Sequence, residues 1–69
     1  MRNEIAERVK ELRIEKNLTI RQMADILGVD RSNYSKYELG RLEFNNEMLV
    51  KISKHFGVTT DYILGLADN

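Results

Sequence analysis

Thr19 to Gly40 reads TIRQMADILGVDRSNYSKYELG. The stretch divides into a short amphipathic run, a glycine, a second capped run and a second glycine, and that punctuation decides the fold. Thr19 is a good helix N-cap, because its hydroxyl can accept from the free amides of a first turn. Gln22 lies three residues on and completes a capping box. Met23, Ala24 and Leu27 then recur at helical spacing and define one buried face. Gly28 ends the run where a left-handed residue meets no Cβ penalty. Val29 folds back on the core. Asp30 caps the next helix, and its charge suits the positive end of that helix. The second helix is expected from Arg31 to about Leu39, with Gly40 just beyond it.

Two helices joined by so short a turn must cross closely, and Ala24 is the small side chain that permits it. Tyr34 and Tyr37 lie three apart and share a helix face, which is assigned to the core. The remaining face holds Arg31, Ser32, Asn33, Ser35 and Lys36, a polar and cationic set with no acid among them. Side chains of this kind can donate to guanine edges, bond adenine or bind phosphate.

With these features in place, Thr19–Gly40 resembles the helix-turn-helix of the phage repressor/Cro family, also called the xenobiotic-response-element family. The matching features are Ala24, Gly28, the Ser-Lys-Tyr-Glu run at 35–38 and Gly40. Upstream, LRIEKNLT (12–19) looks like the family's end of helix one; downstream, HFGVTTDYILG (55–65) looks like its last helix. The resemblance covers nearly the whole chain. The family usually has Gln where this chain has Ile20, Pro where it has Phe44, and an aliphatic residue where it has Tyr34. Ile20 is left with only its backbone amide for a phosphate.

The resemblance implies further roles. It pairs an arginine at Arg13 with a glutamate near the end of the recognition helix, here Glu38, so that helix one is tied to helix three. It places a basic residue, Arg41, on backbone phosphate. It implies a homodimer on DNA, because two-fold operators with inverted-repeat half-sites want a two-fold protein. The apolar residues left over at the relevant end, Leu42, Phe44 and Leu66, are the candidate dimer surface.

The rest of the chain reads as a scaffold of three more helices. Helix one is expected from a cap at Asn3 to about Lys16, with Ile5, Val9 and Leu12 as its apolar stripe. Asn17 ends it, since Asn tolerates the left-handed region better than most residues, and Leu18 plugs the core. Asn45 caps helix four, expected from Asn46 to about His55, with Leu49, Ile52 and Phe56 inward and Gly57 at its end. Val58 plugs the core, and Thr59 caps helix five. Tyr62, Ile63 and Leu64 are expected to complete the core before Gly65. All four glycines fall just after an expected helix, and this agreement supports five helices; the resemblance implies that they form a compact, all-α, lambda-repressor-like domain over residues 1–69.

The 69 residues suffice for one small domain, and a domain of this size buries only about 60% of the surface its unfolded chain exposes. The absence of cysteine excludes disulfides and thiolate metal sites and fits a reducing compartment such as the cytoplasm. The formal net charge is zero, unusual where duplex DNA rewards positive charge, but its distribution is uneven. Residues 13–41 carry six basic groups (Arg13, Lys16, Arg21, Arg31, Lys36, Arg41) and four acidic ones (Glu15, Asp25, Asp30, Glu38). Residues 42–69 carry two basic and four acidic groups. The positive field therefore lies where the motif lies.

Catalytic constellations are missing. His55 is the lone histidine. Glu4, Glu7 and Glu11 line one helix side, but Arg8, Lys10 and Lys16 intersperse with them, which makes a solvated face and not a metal site. The glycines are too far apart for a phosphate loop. No enzyme activity, cofactor or metal is expected.

The chain therefore reads as a sequence-specific DNA-binding domain of a bacterial or phage transcriptional regulator, a repressor that acts by occupying a promoter. Arg31, Ser32, Asn33, Ser35 and Lys36 are the base-reading candidates, with Arg31 foremost because its planar fork matches two acceptors on guanine. Thr19, the amide of Ile20, Arg21, Gln22 and Arg41 are the phosphate candidates, the first of them at the positive end of helix two. Two rival readings remain. One is a protein-docking helix-turn-helix module of the antitoxin or regulator kind, which zero net charge leaves open. The other is a structural five-helix domain whose function lies in a C-terminal part.

Overall fold

Residues 4–66 are described by the computed structural model, and five α-helices account for most of them: α1 (Glu4–Glu15), α2 (Ile20–Leu27), α3 (Arg31–Glu38), α4 (Asn46–Phe56) and α5 (Thr60–Leu64). No strand occurs among the described residues. The cap expected at Asn3 lies outside them.

The helix starts obey side-chain chemistry. Thr19, Asp30, Asn45 and Thr59 each hold extended backbone and accept from an amide of the first turn of the next helix. The capping box is complete: the Gln22 amide donates to Thr19 Oγ1 at 3.1 Å, and the Thr19 amide donates to Gln22 Oε1 at 2.8 Å. The ends are equally local. In the turn between α2 and α3, Gly28 sits at φ 71°, a region where a Cβ would press on the neighbouring carbonyl. Its amide donates to Asp25 O and the Val29 amide to Ala24 O, so two open carbonyls of α2 are satisfied. At the end of α1 the same left-handed step is taken by Asn17, at φ 57°.

The core is one cluster to which every helix contributes: Val9 and Leu12 from α1, Met23, Ala24 and Leu27 from α2, Tyr34 from α3, Met48, Leu49 and Ile52 from α4, and Ile63 from α5. Full burial of a side chain such as Met23, Ile52 or Ile63 contributes about 1.5–3 kcal/mol. α1 packs against α3 and α5, and α4 against α2 and α5. α3 is thereby held from behind by α1 and α2, with its opposite face in solvent.

Some expectations about the core are corrected. Ala6 is buried on α1 whereas Ile5 is half-buried, and Met48 is buried on α4 whereas Phe56 is half-buried. Leu64 is exposed. α5 is little more than one turn, and successive residues point about 100° apart, so Ile63 takes the inward position and Leu64 cannot. The helix limits also move slightly: α1 stops at Glu15 and α4 runs on to Phe56.

Two long cations lie across the outside of the frame. Lys51 on α4 donates to Leu27 O at 3.4 Å, placing positive charge at the C-terminal end of α2, where the helix dipole favours it. The Arg8 guanidinium of α1 lies over Gly65, so close that a Cβ there would meet its Nη1 at 2.9 Å.

Candidate nucleic-acid interface

The outward face of the α2–α3 pair begins with the cap of α2. The Thr19 hydroxyl and the Gln22 side-chain oxygen are both engaged in the capping box. Helix geometry leaves the first amides, those of Ile20 and Arg21, without an acceptor inside α2. Thr19, Arg21 and Gln22 are exposed, and Ile20 is half-buried against the core. Arg21 and Arg31 come together around one open depression of about 400 Å³, which Ala24, Asp25, Val29 and Asp30 complete.

On α3, Arg31, Ser32, Asn33 and Lys36 are exposed and Ser35 is half-buried. Ser32 is less available than its exposure suggests. Its hydroxyl lies 3.2 Å from Asp30 Oδ1 and 3.1 Å from Oδ2, and its amide donates to Oδ1 at 3.4 Å, so its donor is spent on the cap of its own helix. At the far end, Gly40 takes φ 81°. Its amide donates to Tyr37 O, and the Arg41 amide donates to Lys36 O at 2.8 Å. This turn fixes the exposed Arg41 directly beyond α3.

Behind this face sits a polar network. Arg13 Nε donates to Glu38 Oε2 and Nη2 to Oε1, both at 2.8 Å. The Tyr34 hydroxyl donates to the same Oε2 at 2.5 Å, a length typical of a bond to a charged acceptor. Arg13 Nη1 donates to Leu18 O at 2.8 Å. One guanidinium thus joins α1, the segment leading to the α2 cap, and α3. Burial pushes the Glu38 carboxyl up, but hydrogen bonds from Arg13 and Tyr34 and the charge of Arg13 outweigh it and hold it below its ordinary value. Burial, and then the bond to Glu38, push the Tyr34 phenol well up. The bond to Glu38 raises the Arg13 guanidinium further still, against desolvation.

The resemblance pairs Arg13 with Glu38, whereas helical spacing places Tyr34 on the core face and gives its hydroxyl no partner. Its position four residues before Glu38 was the available signal. Two further residues, one expected on the solvated face of helix one and one at the end of helix three, share a cleft. Lys10 and Leu39 line a cleft of about 280 Å³ together with Arg13, Ile20, Ser35 and Glu38. Leu39, expected only as a helix end, lies four residues beyond Ser35 on the same helix face.

The three candidates for a self-contact differ among themselves. Leu66 and Leu42 are exposed. Phe44 is half-buried, its ring 5.3 Å from that of Tyr37, and packs on the core of its own chain. An apolar ring next to a half-buried tyrosine gains more from that contact than from solvent, which removes much of Phe44 from any outward surface. Among the described residues no group of histidine, cysteine and carboxylate side chains is arranged to hold a metal, and no helix is long and apolar enough to cross a membrane.

Comparison with known proteins agrees with the fold. The SPbeta prophage-derived HTH-type transcriptional regulator YonR of Bacillus subtilis (strain 168) is 43% identical over 58 residues, 84% of this chain and 54% of that protein. The HTH-type transcriptional activator BcrR of Enterococcus faecalis is 46% identical over 61 residues, 88% of this chain and 30% of that protein. The chain spans about half the length, or less, of the curated relatives it matches. In fold it is similar to the P22 c2 repressor, solved in complex with a synthetic operator, with a TM-score of 0.81, 24% identity, and coverage of 96% of this chain and 100% of that one. The family model described as a helix-turn-helix domain matches residues 6–69, and the chain belongs to that helix-turn-helix family.

Proposed function

We propose that this chain is the DNA-binding domain of a transcriptional regulator, a sequence-specific reader of double-stranded DNA that lays α3 in the major groove. The observation that carries the reading is the outward face of α3. It presents Arg31, Asn33 and Lys36 to solvent, while its one carboxylate, Glu38, is turned inward onto Arg13. A groove of phosphates and base edges is the partner such a face fits. The fold shared with a repressor that binds an operator supports the same partner.

Within this reading Arg31 is the main reader, bidentate to guanine, with Asn33, Ser35 and Lys36 beside it and Ser32 contributing acceptor lone pairs. Thr19, the amide of Ile20, Arg21 and Gln22 hold a phosphate at the start of α2, and Arg41 holds another beyond α3. These contacts position the domain without reading sequence. Two copies bind an inverted repeat, with Leu42 and Leu66 as the main self-contact. The regulator represses by occupying a promoter.

Selection of sites from a random duplex pool tests the proposal. Two enriched half-sites in inverted repeat, with centres about one helical turn apart, are expected. Affinity should fall steeply with salt, with a slope of about −0.9 per phosphate neutralised. A pool that stays unenriched, with binding indifferent to salt, overturns the reading in favour of a protein-docking module.

A further inference from the structure

We infer that Leu39, with Ile20 as the opposite wall, forms an apolar contact for the 5-methyl group of a thymine, and so is a specificity-determining residue of the α3 face; the inference rests on the DNA-binding reading above. Leu39 is 69% exposed, so its side chain is open to a partner. It lies four residues beyond Ser35 and seven beyond Ser32, so it extends the same helix face by one turn. It shares its cleft with Ile20, the first residue of α2, and Ser35 lies in that cleft as well. The apolar walls are therefore continuous with the polar base-reading surface.

The chemistry of the cleft selects the occupant. Lys10 and Arg13 are its cations, and its one carboxylate, Glu38, is 7% exposed and bound by Arg13 and Tyr34. Arg13 and Glu38 neutralise each other, so Lys10 supplies the net positive charge of the recess, and an apolar recess with a cation at its rim suits a polyanion that carries apolar groups. Within the major groove the thymine methyl is that group, and aliphatic contact is how proteins distinguish it. Ile20 then has a use its side chain lacks at a phosphate: it closes the recess from the α2 side.

The test uses the duplex enriched by the whole chain, with each thymine replaced in turn by deoxyuridine, which removes only the methyl group. At one thymine of each half-site, affinity should fall roughly fourfold, the transfer free energy of about one buried carbon group. Leu39→Ala should weaken the thymine duplex by a similar factor and abolish the deoxyuridine penalty at that position alone. Leu39→Gln, which keeps the bulk, should behave as Leu39→Ala does. If every deoxyuridine duplex binds like its parent while base selectivity and salt dependence persist, the inference fails and the DNA reading stands. If Leu39→Ala instead lowers self-association in sedimentation and leaves the deoxyuridine penalty intact, Leu39 is a contact between copies and the inference is overturned. If the chain enriches no duplex, the inference falls together with the reading beneath it.

Discussion

Arg13 and Glu38 meet as a fork on a fork across 25 positions of sequence, two parallel bonds of 2.8 Å each. With side chains only 14% and 7% exposed, the pair is largely screened from water, and each charge depends on the other. Removing one partner leaves the second charge partly buried. Glu38→Gln should therefore destabilise the domain by about 3 kcal/mol, the lower edge of what breaking a buried pair costs. In a chain of this length that corresponds to a fall in Tm of more than about 10 °C. A melt of the variant superimposable on that of the parent would mean that the pair carries no stability.

The same pair gives stability a pH dependence of known sign. Glu38 is held below its ordinary value of 4.5 in the fold. A carboxyl depressed on folding contributes stability that is present above its unfolded value and is lost as pH falls through the folded one. The gap in Tm between the parent and Glu38→Gln should therefore be full near neutral pH and narrow as pH falls below about 4.5. Comparing the two proteins at each pH removes the titration of the other carboxylates. A gap of constant width down to about pH 3 contradicts an ionised Glu38 as the source of the stabilisation.

Tyr34 separates packing from hydrogen bonding at one position. Its ring is fully buried among the helices, and its hydroxyl is the second donor to Glu38 Oε2. Tyr34→Phe keeps the ring and removes the donor, so urea melts should show a loss of about 1.5–3 kcal/mol, the range for a bond to a charged group. The m-value should not change, since the exposed area on unfolding is the same. A loss below about 0.5 kcal/mol would place the hydroxyl's contribution within the range of ordinary surface changes and assign the site to packing alone.

The two arginines flanking α3 should differ in kind. Arg31 opens the exposed face of the helix, and Arg41 stands beyond its last turn, held by the bond from its amide to Lys36 O. Arg31→Ala should cost about 1–3 kcal/mol on the preferred duplex and relax selectivity at one base position of each half-site. Arg41→Ala should weaken all duplexes about equally and reduce the salt slope by about 1. Measuring both variants on matched and single-substituted duplexes at several salt concentrations distinguishes the roles; identical profiles would refute the division between reading and positioning.

The local structure was legible in the sequence because local chemistry dictates it. Thr19, Asp30, Asn45 and Thr59 can cap only a helix on their C-terminal side, and Gly28, Gly40, Gly57 and Gly65 end a helix on their N-terminal side. The boundaries of α2 to α5 are thereby set within a residue or two. The polar face from Arg31 to Lys36 was legible for the same reason, since helical spacing alone separates it from Tyr34 and Tyr37. Side-chain identity could not say which of two adjacent apolar residues turns inward. Ala6 rather than Ile5, and Ile63 rather than Leu64, turn inward only because of how α1 and α5 are seated in the packed bundle. It also could not show that the Ser32 hydroxyl is spent on Asp30, that the Tyr34 hydroxyl completes the Arg13–Glu38 pair, or that Ile20 and Leu39 share one cleft across 19 positions of sequence. Capping and periodicity act over three or four residues and are written in the chain, whereas burial, shared acceptors and clefts exist only once helices distant in sequence have packed.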